Sequence, residues 1–247
     1  MVNRIFITGD THIPIDIHKL NGKRWPQQKD LTKDDYVMVC GDFGLIWNYL
    51  HTGKTVPGSE DDCWNDEELY WYKWLNDKPF TTLWVDGNHE NYSRLKKYPI
   101  TEWHGGKVQM ISDSIIHLMR GQVYEINGKT FFTMGGAESH ERGYVTGTEK
   151  KDINKIWWKE EIPSKKEWAE AERNLKRYNH KVDYIITHEA PGNVRMHLGY
   201  GINGVSNELW RIYDTVEFDR WYCGHLHFDM FCGKVRVMYY DIAECGE

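Results

Sequence analysis

Short apolar runs recur along this chain without polar alternation. Arg4–Thr8 (RIFIT), Tyr36–Cys40 (YVMVC), Thr82–Val85 (TLWV) and Tyr184–Thr187 (YIIT) are strand-length and rich in β-branched or aromatic side chains. Strands that are apolar on both faces are covered on both faces, so these runs predict the interior of a layered sheet. Val123–Ile126 and Thr130–Thr133 flank Asn127, Gly128 and Lys129. A type I′ turn needs positive φ at both central residues, which Asn-Gly tolerates best, so this pair predicts a hairpin. A second hairpin is expected around Gly233 and Lys234, joining MFC to VRVMYY.

Helical spacing fills the gaps. Asp66–Leu75 sets Leu69, Tyr72 and Leu75 on one face, behind acidic residues that suit a helix N-terminus. Ser164 and Glu167 form a capping box, each satisfying an otherwise unpaired N–H, and open a helix through EWAEAERNLKRY to about Asn179. Strand–helix alternation at the front, with hairpins in the middle and at the back, predicts an α/β fold with mixed sheets. No repeat or linker divides the 247 residues, so one domain over 1–247 is expected. The polar, turn-rich stretches 48–66 and 138–163 are too long for plain connections and are expected to form the rim of a site.

The chemistry lies where the apolar runs stop. RIFIT is followed by Gly9-Asp10-Thr11-His12, YVMVC by Gly41-Asp42, and TLWV by Asp86-Gly87-Asn88-His89-Glu90. YIIT is followed by His188, and RWYC by Gly224-His225-Leu226-His227. Ligands of open α/β sheets bind beyond the carboxyl ends of the strands, so these scattered positions converge in space. Asp10, His12, Asp42, Asn88, His188, His225 and His227 offer oxygen and imidazole donors without thiolate. That donor set suits borderline divalent ions: manganese first, then iron, zinc, cobalt or nickel. If Asp42 bridges, the set supplies four bonds to each of two ions. A two-ion clamp stabilises the attacking and leaving oxygens of displacement at phosphorus.

Composition narrows the partners. Against 31 Lys+Arg stand 37 Asp+Glu, a formal charge of -6, which disfavours a groove for extended duplex nucleic acid. A small anionic substrate bridged by cations is still compatible with that balance. Five cysteines without a CxxC pair argue against a disulfide scaffold and fit a cytoplasmic location. No apolar stretch is long enough to span a membrane. Trp64, Tyr70, Trp71, Tyr72 and Trp74 crowd one segment, filling the core first, with base stacking or a homo-oligomer surface as the other uses.

At these residues the chain resembles the calcineurin-like metallophosphoesterase superfamily, whose blocks are D-x-H, G-D, G-N-H-[DE], a lone His and G-H-x-H. All occur in order from Asp10 to His227. The resemblance implies a four-layer α-β-β-α sandwich of two mixed β-sheets with a dinuclear centre at one edge. It assigns Asp10, His12, Asp42 and His227 to one metal, and Asp42, Asn88, His188 and His225 to the other. It sets His89 beside the phosphate as the general acid for the leaving oxygen, or as the group that steadies the charge building on it, and makes hydroxide the attacking group.

Departures from the protein Ser/Thr phosphatase pattern are specific. Phe43, Gly44 and Asp86 stand around the places where those enzymes carry phosphate-gripping arginines, and Leu45 replaces the Asp that orients the catalytic His. Protein phosphatase activity is therefore disfavoured. The expected activity is hydrolysis of a small phosphate ester, with a diester ahead of a monoester and a nucleotide or short oligonucleotide as the substrate class. A phosphomonoesterase, or a binding module that keeps the fold without catalysis, is the alternative. Arg142, Arg195 and His140 are the candidates for substrate contact, and Glu90 or a backbone carbonyl for orienting His89.

Overall fold

The computed structural model of the chain describes residues 3–47, 54–56, 59–139 and 157–247, and of 54–56 and 59–63 only the backbone. The first two apolar runs become β1 (Ile5–Thr8) and β2 (Tyr36–Val39), parallel neighbours with Phe6 opposite Val37. Inside the stretch read as an open loop lies a short antiparallel hairpin, β3 (Lys54–Val56) with β4 (Ser59–Trp64). Then come α1 (Asp66–Asn76), β5 (Thr81–Trp84) and the short α2 (Tyr92–Leu95). Three strands that the apolar pattern does not separate follow: β6 (Ile100–Trp103), β7 (Gly106–Ser112) and β8 (Ile115–Leu118).

The second half opens with the hairpin β9 (Gln122–Ile126) and β10 (Lys129–Met134), where Asn127 and Gly128 take φ of 55° and 73° as a type I′ turn requires. Ser164 and Glu167 cap α3 (Lys165–Arg177) reciprocally. After β11 (Tyr184–Thr187) come α4 (Gly192–His197), α5 (Gly204–Thr215) and β12 (Arg220–Cys223). The chain returns through β13 (Met230–Cys232), β14 (Val235–Val237) and β15 (Ile242–Glu244). The strand after Gly233 stops at Val237, short of the predicted run. The Asp229 carboxylate accepts the N–H groups of Tyr239, Tyr240 and Asp241 and turns the backbone out of the ladder.

One sheet has the order β15-β1-β2-β5-β8-β7-β6 and the other β13-β14-β12-β11-β10-β9, each mixing parallel and antiparallel pairs. Their burial explains the missing alternation. Ile5 and Ile7 of β1 pack with Met38, Leu83, Phe131, Ile186 and Tyr222 between the sheets. Phe6 points the other way, into a cluster with Val37, Trp84 and the α1 residues Trp71 and Leu75. Phe132, Ile185 and Trp221 do the same on the second sheet, against Ala171 and Leu175 of α3 and Leu209 of α5. The result is helix, sheet, sheet, helix, as expected. Helix α1 is rotated from the expected face: Glu68, Trp71 and Leu75 are buried, with Leu69 and Tyr72 at the margin. Glu68 is drawn inward because its carboxylate accepts the Trp47 N–H at 3.0 Å and pairs with Arg94 at 2.6 Å.

Candidate metal centre

Parallel β1, β2 and β5 end at one edge of the first sheet, and parallel β11 and β12 end at the matching edge of the second. Every predicted ligand leaves one of these five ends. Backbone shape brings them inward: His12, Asp42, His225 and His227 all have positive φ, at 33°, 45°, 67° and 56°. Such conformations cost about 1–3 kcal/mol each and persist where the surroundings over-determine them. They also answer how two histidines at alternate positions face one centre, since neither 225 nor 227 is extended. Glycines give the room: a Cβ on Gly41 would collide with the His188 ring, and one on Gly224 with the Asp10 carboxylate.

Two groups of donor atoms result, each with all members within 4.8 Å of one another: Asp10, His12, Asp42 and His227 in one, Asp42, His188 and His225 in the other. Asn88 joins the second, its Oδ1 lying 3.1 Å from His188 Nε2. Asp42 belongs to both. Its buried Oδ2 meets no hydrogen bond of good geometry and lies 3.2 Å from His12 Nε2, while its Oδ1 lies 3.2 Å from His188 Nε2, so the one carboxylate faces an imidazole of each group. Buried polar atoms are otherwise nearly always bonded, and this orphan fits a bridging ligand to two cations.

The charges agree. Burial alone would raise the carboxyls of Asp10 and Asp42, but His188 and the other imidazoles hold both below the usual range. Burial works against a charged imidazole at His12 and His188; Asp42 and Asp10 nonetheless raise them to about 9 and about 10. Behind the rings stand fixed acceptors. His12 Nδ1 is 2.8 Å from Asp16 Oδ2, and His188 Nδ1 is 2.8 Å from the Cys40 carbonyl. Each partner can accept a proton carried on Nδ1 and turns Nε2 toward the centre, the arrangement by which outer groups orient ligating histidines.

His89 lies beside the first group, its ring 5.5 Å from that of His12 and 5.9 Å from half-buried Trp47. Its backbone N–H donates to Asp42 Oδ1 at 2.8 Å. Glu90 does not hold the His89 ring; its carboxylate turns back to the Phe43 N–H. Beneath the turn is a network the sequence reading misses. Asp86 accepts from Arg120 Nε (2.7 Å) and the Tyr92 hydroxyl (2.8 Å) and lies 3.1 Å from His117 Nε2, while Tyr92 also reaches the Gly87 carbonyl. Burial would raise the Asp86 carboxyl, and Arg120 and His117 hold it low instead. The arginine absent from the motif thus arrives from the turn after β8 and grips the protein itself.

Of the substrate-contact candidates, Arg142 and His140 lie outside the described residues. Arg195 donates to Glu189 at 2.8 Å and to the Gly201 carbonyl at 2.7 Å, and Glu189 in turn approaches His225 to 3.8 Å. Arg195 therefore borders the second group with its guanidinium engaged. Asp16, Lys19, Glu189 and Arg120 carry no local motif that would single them out in the sequence.

The family model for calcineurin-like phosphoesterases matches residues 3–229. No curated protein matches this chain.

Proposed function

The chain belongs to the calcineurin-like phosphoesterase family, and from that premise we propose that it is a dinuclear phosphodiesterase acting on a nucleotide or short oligonucleotide. The phosphoester hydrolase activity follows from the family; the diester and nucleotide preferences are our reading. The observation that carries it is the shared, buried Asp42, whose Oδ2 lies 3.2 Å from His12 of one donor group and whose Oδ1 lies 3.2 Å from His188 of the other. Asp10, His12, Asp42 and His227 would hold one divalent cation and Asp42, Asn88, His188 and His225 the other. Two such ions, manganese foremost, supply a nucleophile from water at neutral pH and neutralise charge on the phosphate oxygens.

The chain's own residues do the rest. His89 gives a proton to the departing oxygen, and its position is set from the backbone by the Asp42 carboxylate. Trp47, pinned at its N–H by Glu68 and at its carbonyl by Asn91, offers an aromatic face beside that departing group, which supports a nucleobase-bearing substrate. Among the described residues, Arg120 is committed to Asp86 and Arg195 to Glu189, so the charge these two would offer a doubly charged terminal phosphate is already neutralised. This favours the diester. We take 1–247 as one catalytic domain, with 48–66 and 138–163 as its rim. The free Cys40, Cys223, Cys232 and Cys245 suit a cytoplasmic setting. No helix among the described residues is long and apolar enough to cross a membrane.

Paired chromogenic substrates, a phosphate diester and a monoester, test the reading with Mn²⁺ and with chelator. The diester should turn over faster, and chelation should abolish both reactions. A monoester preference would overturn the diester assignment. Two bound metals without turnover of either, or of a dinucleotide panel, would favour the binding module.

A further inference from the structure

His227 differs from the other predicted ligands. Its side chain is 48% exposed, whereas Asp10 beside it is fully buried. His12 and His188 each have an acceptor behind Nδ1, but among the described residues no hydrogen-bond partner stands behind Nδ1 of His227. What lies against it is Tyr239, with ring centroids 4.8 Å apart and planes only 11° from parallel.

Tyr239 is itself clamped on both sides of its peptide. Its N–H donates to Asp229 Oδ1 at 2.7 Å, and its carbonyl accepts from the Lys19 ammonium. Lys19 is buried and also donates to the carbonyls of Gly9 (2.9 Å) and Asp10 (2.7 Å). One ammonium therefore ties the backbone of Tyr239 to that of Asp10. The approach is close: a Cβ on Gly9 would collide with the Met238 carbonyl. A lysine among three carbonyls is a strong tether, because charge-assisted hydrogen bonds are about twice as strong as neutral ones.

We propose that Tyr239 is a positioning residue for one of the two metals. Its ring holds His227 in the ligating orientation, a task that hydrogen bonds perform for His12 and His188, and Lys19 with Asp229 hold Tyr239. The stack acts on one donor group: Tyr239 stacks on His227 and its hydroxyl faces Asp16, which holds His12 of the same group. This inference rests on the dinuclear reading above, and a binding measurement separates the two.

Stripped protein is titrated with Mn²⁺ by calorimetry, without substrate, for wild type, Tyr239→Phe and Tyr239→Ala, with far-UV circular dichroism checking the fold. Wild type is expected to bind two ions. Tyr239→Ala should weaken one by about 10- to 100-fold, the usual effect of removing an outer support, and leave the other unchanged. Tyr239→Phe, which keeps the stack and loses only the hydroxyl facing Asp16, should bind both ions much closer to wild type than Tyr239→Ala does. Two unaltered sites in Tyr239→Ala, or equal weakening of both, would overturn the positioning role while leaving the dinuclear reading intact. Failure of wild type to bind two ions would overturn that reading, and this one with it.

Discussion

Asp10, Asp42 and Asn88 leave the seven-stranded sheet as oxygen donors, whereas His188, His225 and His227 leave the six-stranded sheet as nitrogen donors; His12 is the one imidazole among the predicted ligands of the oxygen side. The two edges are also held differently. On the first sheet the Asn88 turn stands on the buried Asp86, Arg120, His117 and Tyr92 network, and His12 on Asp16. On the second, His188 hangs from a carbonyl of the first sheet, and His227 leans on an aromatic ring. Neither edge makes a four-ligand site alone. The centre belongs to the seam, and the contrast teaches that its chemistry depends on how the sheets are registered against each other as well as on the motifs.

The strongest way to break the contrast is to remove the residue both groups share. Asp42→Ala should lose both metals and at least about 10³-fold in turnover, read by elemental analysis beside kinetics. If one metal survives at full occupancy, Asp42 is no bridge. Next comes the proton donor. His89→Ala should cut kcat by about 10²- to 10⁴-fold with metal content unchanged, and a comparable loss of metal would recast His89 as a ligand.

A smaller effect sharpens the difference between the edges. Asp16→Ala frees His12 and should weaken one ion by about 10- to 100-fold, seen by calorimetric titration. Equal weakening of both would mean the edges are not independently supported. The mildest change is remote from the seam: Ser164→Ala removes the α3 cap and should cost about 1 kcal/mol in urea denaturation, with no change in metal affinity.

The fold was legible wherever a strand is covered on both faces, because such strands are short unbroken apolar runs. Tyr184–Thr187 is bounded as read, and Asn127-Gly128 marks its turn. Strands β6 to β8 were not, since Ile100–Trp103 is an exposed edge and Gln109 and His117 place polar atoms inside the sheet, where they bond each other. The face of α1 was misread for a related reason: a buried carboxylate at Glu68, paired with Arg94, looks like a solvent residue to any hydrophobic count. In the site, the residues that would touch a metal announce themselves by following strands, and the structure brings all seven together. Those that hold them do not. Lys19, Tyr239 and Arg120 act through contacts with residues distant in sequence or through backbone carbonyls, which no spacing rule records, and Asp16, though only four residues from His12, meets it outside any helix.

The division between oxygen and nitrogen edges also has an order in time. As the chain is synthesised, Asp10, His12, Asp42 and Asn88 emerge well before His188, His225 and His227, and β15, which closes against β1, follows them all. The oxygen donors thus all precede three of the four imidazole donors along the chain. His188, His225 and His227 come only in the last part of the chain, from the sheet that forms the other side of the seam. Neither donor set is therefore complete until the two sheets have met.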